Sequence, residues 1–197
     1  MKTTNSPKKG SIISVEPIRN TKDITTIKKR LADNPRDFAL FVAGINTAFR
    51  ASDLLALTVG KVRHLSPGDT LPVRERKTGK ERRVTLNNAA HDAIKTLLAT
   101  LPDPQDDAPL FQSRKGGKAL TVSTLNHMVK EWCEWCHLPG NYGSHSLRKT
   151  FGYHHRVNFK TDLPTLMKVF GHSTQAQTLH YLGIQDDDVK EAFMRDL

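Results

Sequence analysis

The chain is poor in cysteine and in aromatic residues, and it has no long apolar segment. Two cysteines occur among its 197 residues, and Phe, Trp and Tyr together make up 7% of the chain. No apolar run approaches the length of a membrane span, and the basic N-terminus is not followed by the apolar stretch of a secretory signal. The sequence therefore predicts a soluble globular protein of a reducing cytoplasm, long enough to bury its own core without disulfides.

Two further absences concern chemistry. The sequence has no glycine-rich phosphate-binding loop and no carboxylate cluster placed to hold Mg²⁺. The Cys133-x-x-Cys136-His137 motif has the spacing of covalent haem attachment. Because this pair lies inside a strong helical pattern, we interpret both cysteines as small hydrophobic residues near a core face. A zinc site would need more ligands at suitable spacing, so we predict neither a metal nor another cofactor.

Positive charge is abundant and unevenly placed. The chain has 30 Lys and Arg residues against 20 Asp and Glu residues, a net charge of +10. Basic residues concentrate in residues 1–30 and again in residues 74–83, whereas the end of the chain is acidic. Such asymmetry is typical of a protein with one face turned toward DNA. The alternatives are a generic basic protein and, for residues 74–83, a charged strand edge that discourages aggregation.

The apolar spacing predicts a mainly helical α+β domain with one small antiparallel sheet. Residues 71–86 read as two short strands around Thr78-Gly79, a turn signal, and so predict a β-hairpin. We expect Ser52 to cap one helix, and Ser144 or Ser146 to cap another. Helical spacing is found over residues 21–31, 37–48, 53–57, 88–101, 121–137, 144–157, 163–170, 174–182 and 186–197.

The chain divides into three predicted parts. Residues 1–19 are polar, basic and rich in Ser, Thr and Pro, which indicates a flexible N-terminal arm. Residues 20–185 form the main domain. Residues 186–197 predict an amphipathic C-terminal helix whose three leading aspartates complement its dipole. Because this helix looks detached from the domain, we expect it to contact a neighbouring subunit.

The most informative stretch is residues 144–181. His145 and Arg148 are three residues apart in a predicted helix, so they share one face. An arginine fork can grip phosphate oxygens, and an imidazole can move a proton. His172 and Tyr181 follow, and a tyrosine hydroxyl is a covalent nucleophile that needs charged neighbours. The pattern therefore favours chemistry at a phosphate group.

Simpler interpretations exist for other polar residues. Arg50 lies at a helix–turn–helix junction in mostly apolar surroundings, where an unpaired guanidinium is expensive to bury. The alternative to a functional role for Arg50 is a structural salt bridge to Asp53. His154 and His155 are interpreted as surface or packing residues.

Four sequence blocks, taken in order, resemble the tyrosine recombinase, or phage integrase, family. They are residues 44–57 around Arg50, Lys77-Thr78-Gly79-Lys80 between two strands, His145-Ser146-Leu147-Arg148, and Gly171-His172-Ser173 with Thr178 and Tyr181 downstream. Each block is weak alone, but the full set in order is specific, and it extends from about residue 20 to the C-terminus. The resemblance implies the fold of the integrase catalytic domain for residues 20–185.

The resemblance also implies how the site would act. Arg50 and Arg148 would stabilise the charge that develops on a phosphodiester. Tyr181 would attack the phosphorus, form a 3′-phosphotyrosyl link and release a 5′-hydroxyl. The bond energy is kept in this link, so neither ATP nor a metal is needed for rejoining.

The remaining members of the set would handle protons and hydrogen bonds. Lys77 would protonate the leaving oxygen, and His145 would help to manage the tyrosine proton. His172 would donate a hydrogen bond to a non-bridging oxygen. The Gly-His-Ser context favours His172 over His180 for this role. Tyr142 and Tyr153 lack the downstream position of the family nucleophile.

The function implied is site-specific integration, excision or inversion of DNA in a bacterial or phage-encoded system associated with the nucleoid. The first expected partner is double-stranded DNA, which Arg76 and Lys80 of the hairpin would contact. The others are further copies of the chain, in a tetramer on synapsed sites, and an accessory DNA-bending protein. No membrane partner is expected. Family members typically carry a separate N-terminal DNA-binding domain, whereas only about twenty residues precede the first predicted helix here. Two alternatives remain: a DNA-binding regulator that has lost recombination, and a type IB topoisomerase.

Overall fold

The apolar helix of residues Pro35–Asn46 packs against several other helices and carries the main core. The computed structural model describes residues 14–74, 79, 81–114, 116–183 and 193–194. The elements follow one another as α1 (Thr21–Leu31), α2 (Pro35–Asn46), α3 (Ala51–Leu54), α4 (Val59–Val62), β1 (Thr70–Arg74), β2 (Glu81–Thr85), α5 (Asn88–Ala99), α6 (Val122–Glu134), α7 (Ser144–Val157), α8 (Leu163–Phe170) and α9 (Gln175–Leu182). The predicted fold class is confirmed, since helices dominate and one small sheet accompanies them.

The predicted hairpin is confirmed by the antiparallel pairing of β1 with β2. Leu71 lies opposite Val84, and both side chains are buried against the main core. Val73 lies opposite Arg82 in the same register. Because alternate strand residues share a face, Arg82 lies on the same inner face as Val84.

Polar side chains begin most of the helices, as hydrogen-bonding caps should. Asn34, Thr121 and Asp162 each accept a hydrogen bond from a backbone N–H in the first turn of the helix that follows. Pro35 is the first residue of α2, where its missing N–H leaves no donor unpaired.

Two of the predicted caps are wrong. Arg50 occupies the N-cap position of α3, and Ser52 lies inside that helix, because α2 ends at Asn46 and α3 begins at Ala51, each two residues earlier than the apolar pattern suggests. Gly143 is the N-cap of α7, so Ser144 and Ser146 are both helical residues. The Ser146 hydroxyl nevertheless accepts a hydrogen bond from the Gly143 N–H at 3.1 Å.

The main core lies between α2, α5, α6 and α7. The Phe41 and Trp132 rings meet edge to face, with 5.7 Å between their centroids. Cys133 is also buried there, and burial raises the pKa of its thiol to about 12. The interpretation of Cys133 as a small core residue is therefore confirmed.

A second, smaller core cluster lies beneath α8 and α9. It consists of the buried residues Ala48, Leu166, Phe170 and Leu182. Helix α7 approaches this cluster closely at Gly152, where a Cβ atom would lie 2.5 Å from Leu182 Cδ2 and 2.6 Å from Phe170 Cζ. Only glycine lets the three helices meet at this distance.

Residues 14–19, here named the N-terminal strap, cross helix α7. The Ile18 N–H donates to Thr150 Oγ1 at 2.8 Å, and Ile18 O lies 2.9 Å from His154 Nε2. The Ile18 side chain is 1% exposed. The prediction of a flexible arm is therefore wrong for residues 14–19, because backbone hydrogen bonds and one apolar anchor fix them to the domain. His154 is a buried packing residue, as predicted.

Several predicted features lie outside the described residues. They are residues 1–13 of the predicted flexible arm, the hairpin tip with Arg76, Lys77 and Lys80, and the C-terminal helix of residues 186–197 apart from Phe193 and Met194. Within the described ranges, no helix is long and apolar enough to cross a membrane.

Candidate active site

A cleft of about 470 Å³ opens between the start of α3, helix α7, the loop after α8, and α9. Five of the six predicted site residues line it: Arg50, His145, Arg148, His172 and Tyr181. The sixth, Lys77, lies outside the described residues. Residues that are up to 131 positions apart in the sequence are thus brought to one place.

Arg148 lies at the centre of the cleft floor and is 3% exposed. Its Nη1 donates to the Ala48 carbonyl, and its Nη2 donates to the Phe170 carbonyl at 2.9 Å. Its guanidinium also lies 4.8 Å from the Phe170 ring centroid and 5.9 Å from that of Tyr181. Backbone acceptors on two sides therefore fix the orientation of this cation before any ligand binds.

The Ala48 carbonyl is shared by two arginines. Arg82 of β2 donates to it from Nη2 at 3.1 Å and donates from Nη1 to the Val169 carbonyl at 2.5 Å. Ala48 has φ 51°, in the left-handed region that L-residues rarely adopt. The strained turn directs its carbonyl to the point where strand β2, helix α7 and the end of α8 meet.

Arg50 enters the cleft from the N-cap position of α3. Its side chain is 18% exposed, and its Nη1 lies 4.0 Å from Oδ2 of Asp53, whose side chain is 1% exposed. Asp53 lies in the first turn of α3, where the helix dipole favours a carboxylate. The salt bridge considered from the sequence is therefore present, and Arg50 also lines the cleft.

Tyr181 lies on α9 with its hydroxyl oxygen shielded from solvent. Burial raises the pKa of this hydroxyl above its ordinary value. Arg148 opposes that rise through its charge and a hydrogen bond, and Arg50 and Arg82 oppose it through their charges. Burial thus favours the neutral phenol of Tyr181, whereas the surrounding cations favour its phenolate form.

His172 follows Gly171, which ends α8 with φ 67°, a conformation that favours glycine. The imidazole stacks on Phe170 and meets the Tyr181 ring edge to face, at centroid distances of 5.3 and 5.2 Å. Its Nδ1 lies 3.1 Å from Thr178 Oγ1. Burial, Arg148 and Arg50 lower the pKa of His172 from 6.5 to about 4. The ring is therefore neutral near pH 7, and Thr178 engages one of its nitrogens.

The lowered pKa of His172 predicts a loss of stability in acid. Below pH 6.5 the unfolded chain binds a proton at this histidine, whereas the folded chain binds it only near pH 4. The free energy of unfolding should therefore decrease as the pH falls from 6.5 to 4, and this decrease should be smaller in His172→Gln. Urea titrations of both proteins across that range measure the difference. Burial also lowers the pKa of His155, but this residue is present in both proteins, so its contribution to the pH dependence cancels in the difference. Equal pH dependence in the two proteins would contradict the assignment.

His145 lies in the first turn of α7 and is exposed, in contrast to Arg148 one turn later. The sequence prediction that these two residues share a face is confirmed, since both line the cleft. An exposed imidazole at this position can exchange protons with solvent and with a bound group.

Three charged residues near the cleft are absent from the set predicted for the site: Asp53, Arg82 and Lys149. The sequence indicates Asp53 only as a salt-bridge partner of Arg50. The period of two along β2 does place Arg82 with Val84 and could have identified it as inward-facing. No sequence signal indicates Lys149, which follows Arg148 and lies with its Nζ 5.4 Å from the centroid of the Tyr181 ring.

Comparison with known proteins settles the family. A family model described as "Phage integrase family" matches residues 19–187. The chain belongs to the phage integrase family. Enzymes of this tyrosine recombinase family cleave and rejoin DNA without a metal ion. Within the described residues, no group of three or more His, Cys, Asp or Glu side chains is arranged to hold one.

Bacterial relatives cover this integrase-family chain to different extents. The probable integrase/recombinase YoeC of Bacillus subtilis is 33% identical over 180 residues, covering 91% of this chain and 95% of YoeC. The tyrosine recombinase XerC of Caldanaerobacter subterraneus subsp. tengcongensis is 30% identical over 160 residues, covering 80% of this chain but 44% of XerC. The chain thus spans nearly all of one relative and less than half of the other.

Solved structures share the fold of this integrase-family chain. The XerA recombinase superposes with a TM-score of 0.72 at 19% identity, over 95% of this chain and 65% of XerA. The XerH site-specific recombinase, solved bound to its palindromic difH substrate after cleavage, superposes with a TM-score of 0.73 at 20% identity, over 93% of this chain and 53% of XerH. The predicted tyrosine recombinase fold is confirmed.

Proposed function

We propose that this chain is a site-specific DNA recombinase that cleaves and rejoins strands through a 3′-phosphotyrosyl intermediate on Tyr181. The observation that carries the proposal is the shielded Tyr181 hydroxyl, placed beside Arg148 in a cleft that Arg50 and two histidines also line. Family membership supplies the reaction class. Double-stranded DNA is the substrate, and the XerH recombinase, which has the same fold, binds its own palindromic difH substrate.

The cleft binds a phosphodiester through its cations. The two guanidinium groups of Arg50 and Arg148 offer parallel N–H donors to the phosphate oxygens. Arg148 is fixed by the Ala48 and Phe170 carbonyls, so it does not reorganise as charge develops on the phosphorus. His172 is neutral near pH 7, and in the tautomer in which its Nδ1 accepts from the Thr178 hydroxyl, its Nε2–H donates to a non-bridging oxygen.

Cleavage exchanges one phosphate ester for another. The Tyr181 oxygen bonds to the phosphorus, the bond to the 5′-oxygen of the next nucleotide breaks, and the DNA 3′ end stays on the protein. The phenolic proton passes to a base, for which the exposed His145 is the candidate. Lys77 supplies the proton that the leaving 5′-oxygen requires. Rejoining is the reverse attack by a 5′-hydroxyl, so the ester energy is kept and no nucleotide is consumed.

The experiment that tests this function uses a DNA duplex with a nick close to the cleavage point. After cleavage the short fragment diffuses away, and the covalent protein–DNA adduct accumulates and is visible on a denaturing gel. We expect an adduct that peptide mapping places on Tyr181. Tight binding of the cognate duplex without adduct would instead support a DNA-binding regulator. Relaxation of supercoiled plasmid without a specific site would support a type IB topoisomerase activity.

Assembly and DNA contacts are the finer part of the proposal. We propose a tetramer on two synapsed sites, with the helix predicted from residue 186 contacting a neighbouring subunit and Arg76 and Lys80 contacting the DNA backbone. An accessory DNA-bending protein and a place in the bacterial nucleoid remain predictions. Salt-dependent binding follows from the net charge of +10, because each neutralised phosphate releases counterions.

A further inference from the structure

Lys149 is a buried lysine next to the site, and the proposed reaction gives it no role. It is 7% exposed, although lysine is rarely buried without a partner. It follows Arg148 on α7, so it points about 100° further round the helix. Its Nζ lies 5.4 Å from the centroid of the Tyr181 ring. Lys149 is not among the residues that line the cleft.

The N-terminal strap provides the partners of this lysine. Lys149 Nζ donates to Ser14 Oγ at 3.1 Å. Burial lowers the pKa of Lys149, and the negative charge of Glu16 on the strap opposes this shift. The Glu16 N–H in turn donates to the Asn141 carbonyl at 2.8 Å, which fixes the strap at this point.

Two cations therefore lie near the Tyr181 ring. The Arg148 guanidinium lies 5.9 Å from its centroid, and the Lys149 ammonium lies 5.4 Å from it. Among the described residues, Arg50 and Arg82 add positive charge around the Tyr181 hydroxyl, and the His172 ring meets the Tyr181 ring edge to face. A cation near an aromatic face is attracted to the ring, and more strongly when the ring carries the charge of a phenolate.

We propose that Lys149 is a positioning residue for the nucleophile: it holds the Tyr181 ring from outside the cleft and stabilises the phenolate as the proton leaves. The N-terminal strap then contributes to the active site, because Ser14 and Glu16 position the Lys149 ammonium and favour its charged form. The inference rests on the proposed function, because it assigns a role within Tyr181-dependent cleavage.

The test measures the single-turnover rate of adduct formation on the nicked duplex, at saturating protein and from about pH 6 to about pH 10, close to the ordinary pKa of lysine. Lys149→Met keeps the apolar volume and removes the charge, so we expect a loss of about tenfold or more near neutral pH, which is about 1.4 kcal/mol of transition-state stabilisation. The loss should shrink as the pH rises and the wild-type lysine itself loses its proton. Lys149→Arg should restore most of the rate.

Glu16→Gln gives a second test that leaves the buried lysine in place. Without this carboxylate the pKa of Lys149 falls further, so the rate should match wild type at low pH and drop below it as the pH rises. Lys95→Met is the matched control. Lys95 is an exposed lysine of α5 that donates to the Arg63 carbonyl, and its loss should leave the rate unchanged.

A modified leaving group separates positioning from acid catalysis. A duplex with sulfur in place of the bridging 5′-oxygen has a leaving group that needs no proton. It should rescue Lys77→Ala but not Lys149→Met. Rescue of Lys149→Met by this duplex would overturn the proposal, and so would a wild-type rate in Lys149→Met. A rate loss that is equal at every pH and is accompanied by a lower unfolding temperature would also overturn it, because it would indicate a purely structural role. If the wild-type chain forms no adduct at all, the proposed function fails instead.

Discussion

Tyr181→Phe is expected to abolish the covalent protein–DNA adduct and to leave DNA affinity unchanged. The substitution removes the single oxygen that bonds to the phosphorus and keeps the ring. The ring packs on Phe170 at a centroid distance of 5.2 Å, and phenylalanine preserves this contact. The hydroxyl is shielded from solvent, so its loss exposes no new polar surface. Adduct yield on a denaturing gel and affinity by fluorescence anisotropy measure the two properties separately.

The chain offers a complete set of matched controls, because it has only three tyrosines. The Tyr142 hydroxyl donates to the Pro139 carbonyl at 3.3 Å, and the Tyr153 ring lies 5.5 Å from the Arg19 guanidinium. Tyr142→Phe and Tyr153→Phe should both form the adduct at rates near wild type. If the adduct persists in Tyr181→Phe and disappears in one of the other two variants, the nucleophile is that other tyrosine and the proposed site is refuted.

Arg148→Ala is expected to reduce the cleavage rate by about 10²–10³-fold or more, on the scale of removing a preorganised donor from a developing charge. The same change should destabilise the fold. Arg148 is 3% exposed, and its removal leaves the Phe170 carbonyl without this donor, whereas the Ala48 carbonyl keeps its hydrogen bond from Arg82. Each buried acceptor that loses its partner costs about 1–3 kcal/mol.

Both effects can be measured on the same preparation. Urea denaturation gives the change in stability, and single-turnover cleavage at a temperature where the variant is folded gives the catalytic loss. Arg50→Ala is the informative comparison, because Arg50 is more exposed at 18% and faces Asp53. It should lose cleavage as well, and because it takes a cation away from the buried Asp53 carboxylate it should also lose stability. Near-normal cleavage in folded Arg148→Ala would rule out its assigned role.

Local patterns in the sequence are enough to predict several elements. Helical spacing over residues 21–31, 144–157 and 163–170 predicts three helices, and α1, α7 and α8 have those bounds. The helical period is a property of neighbouring residues and needs no knowledge of the fold. The order of the polar motifs likewise predicts the side chains that line the cleft, through resemblance to a family.

Contacts that depend on packing between distant elements cannot be predicted in this way. Lys149 differs from other lysines only because α9 and the N-terminal strap close over it. The strap is the end of residues 1–19, a segment that is polar and basic as a whole, so the composition of that segment favours a flexible arm. Arg82 is one of several basic residues in the hairpin, and its two carbonyl acceptors come from the turn after α2 and the end of α8.

The attachment of α9 has a consequence for how activity and folding are related. This short helix is anchored by Leu182 in the small cluster beneath the site, whereas the helices that carry the main core bury many more side chains. Segments with few buried contacts open at a lower free energy than the whole domain. On heating, the nucleophile should therefore leave its place while the rest of the molecule stays native.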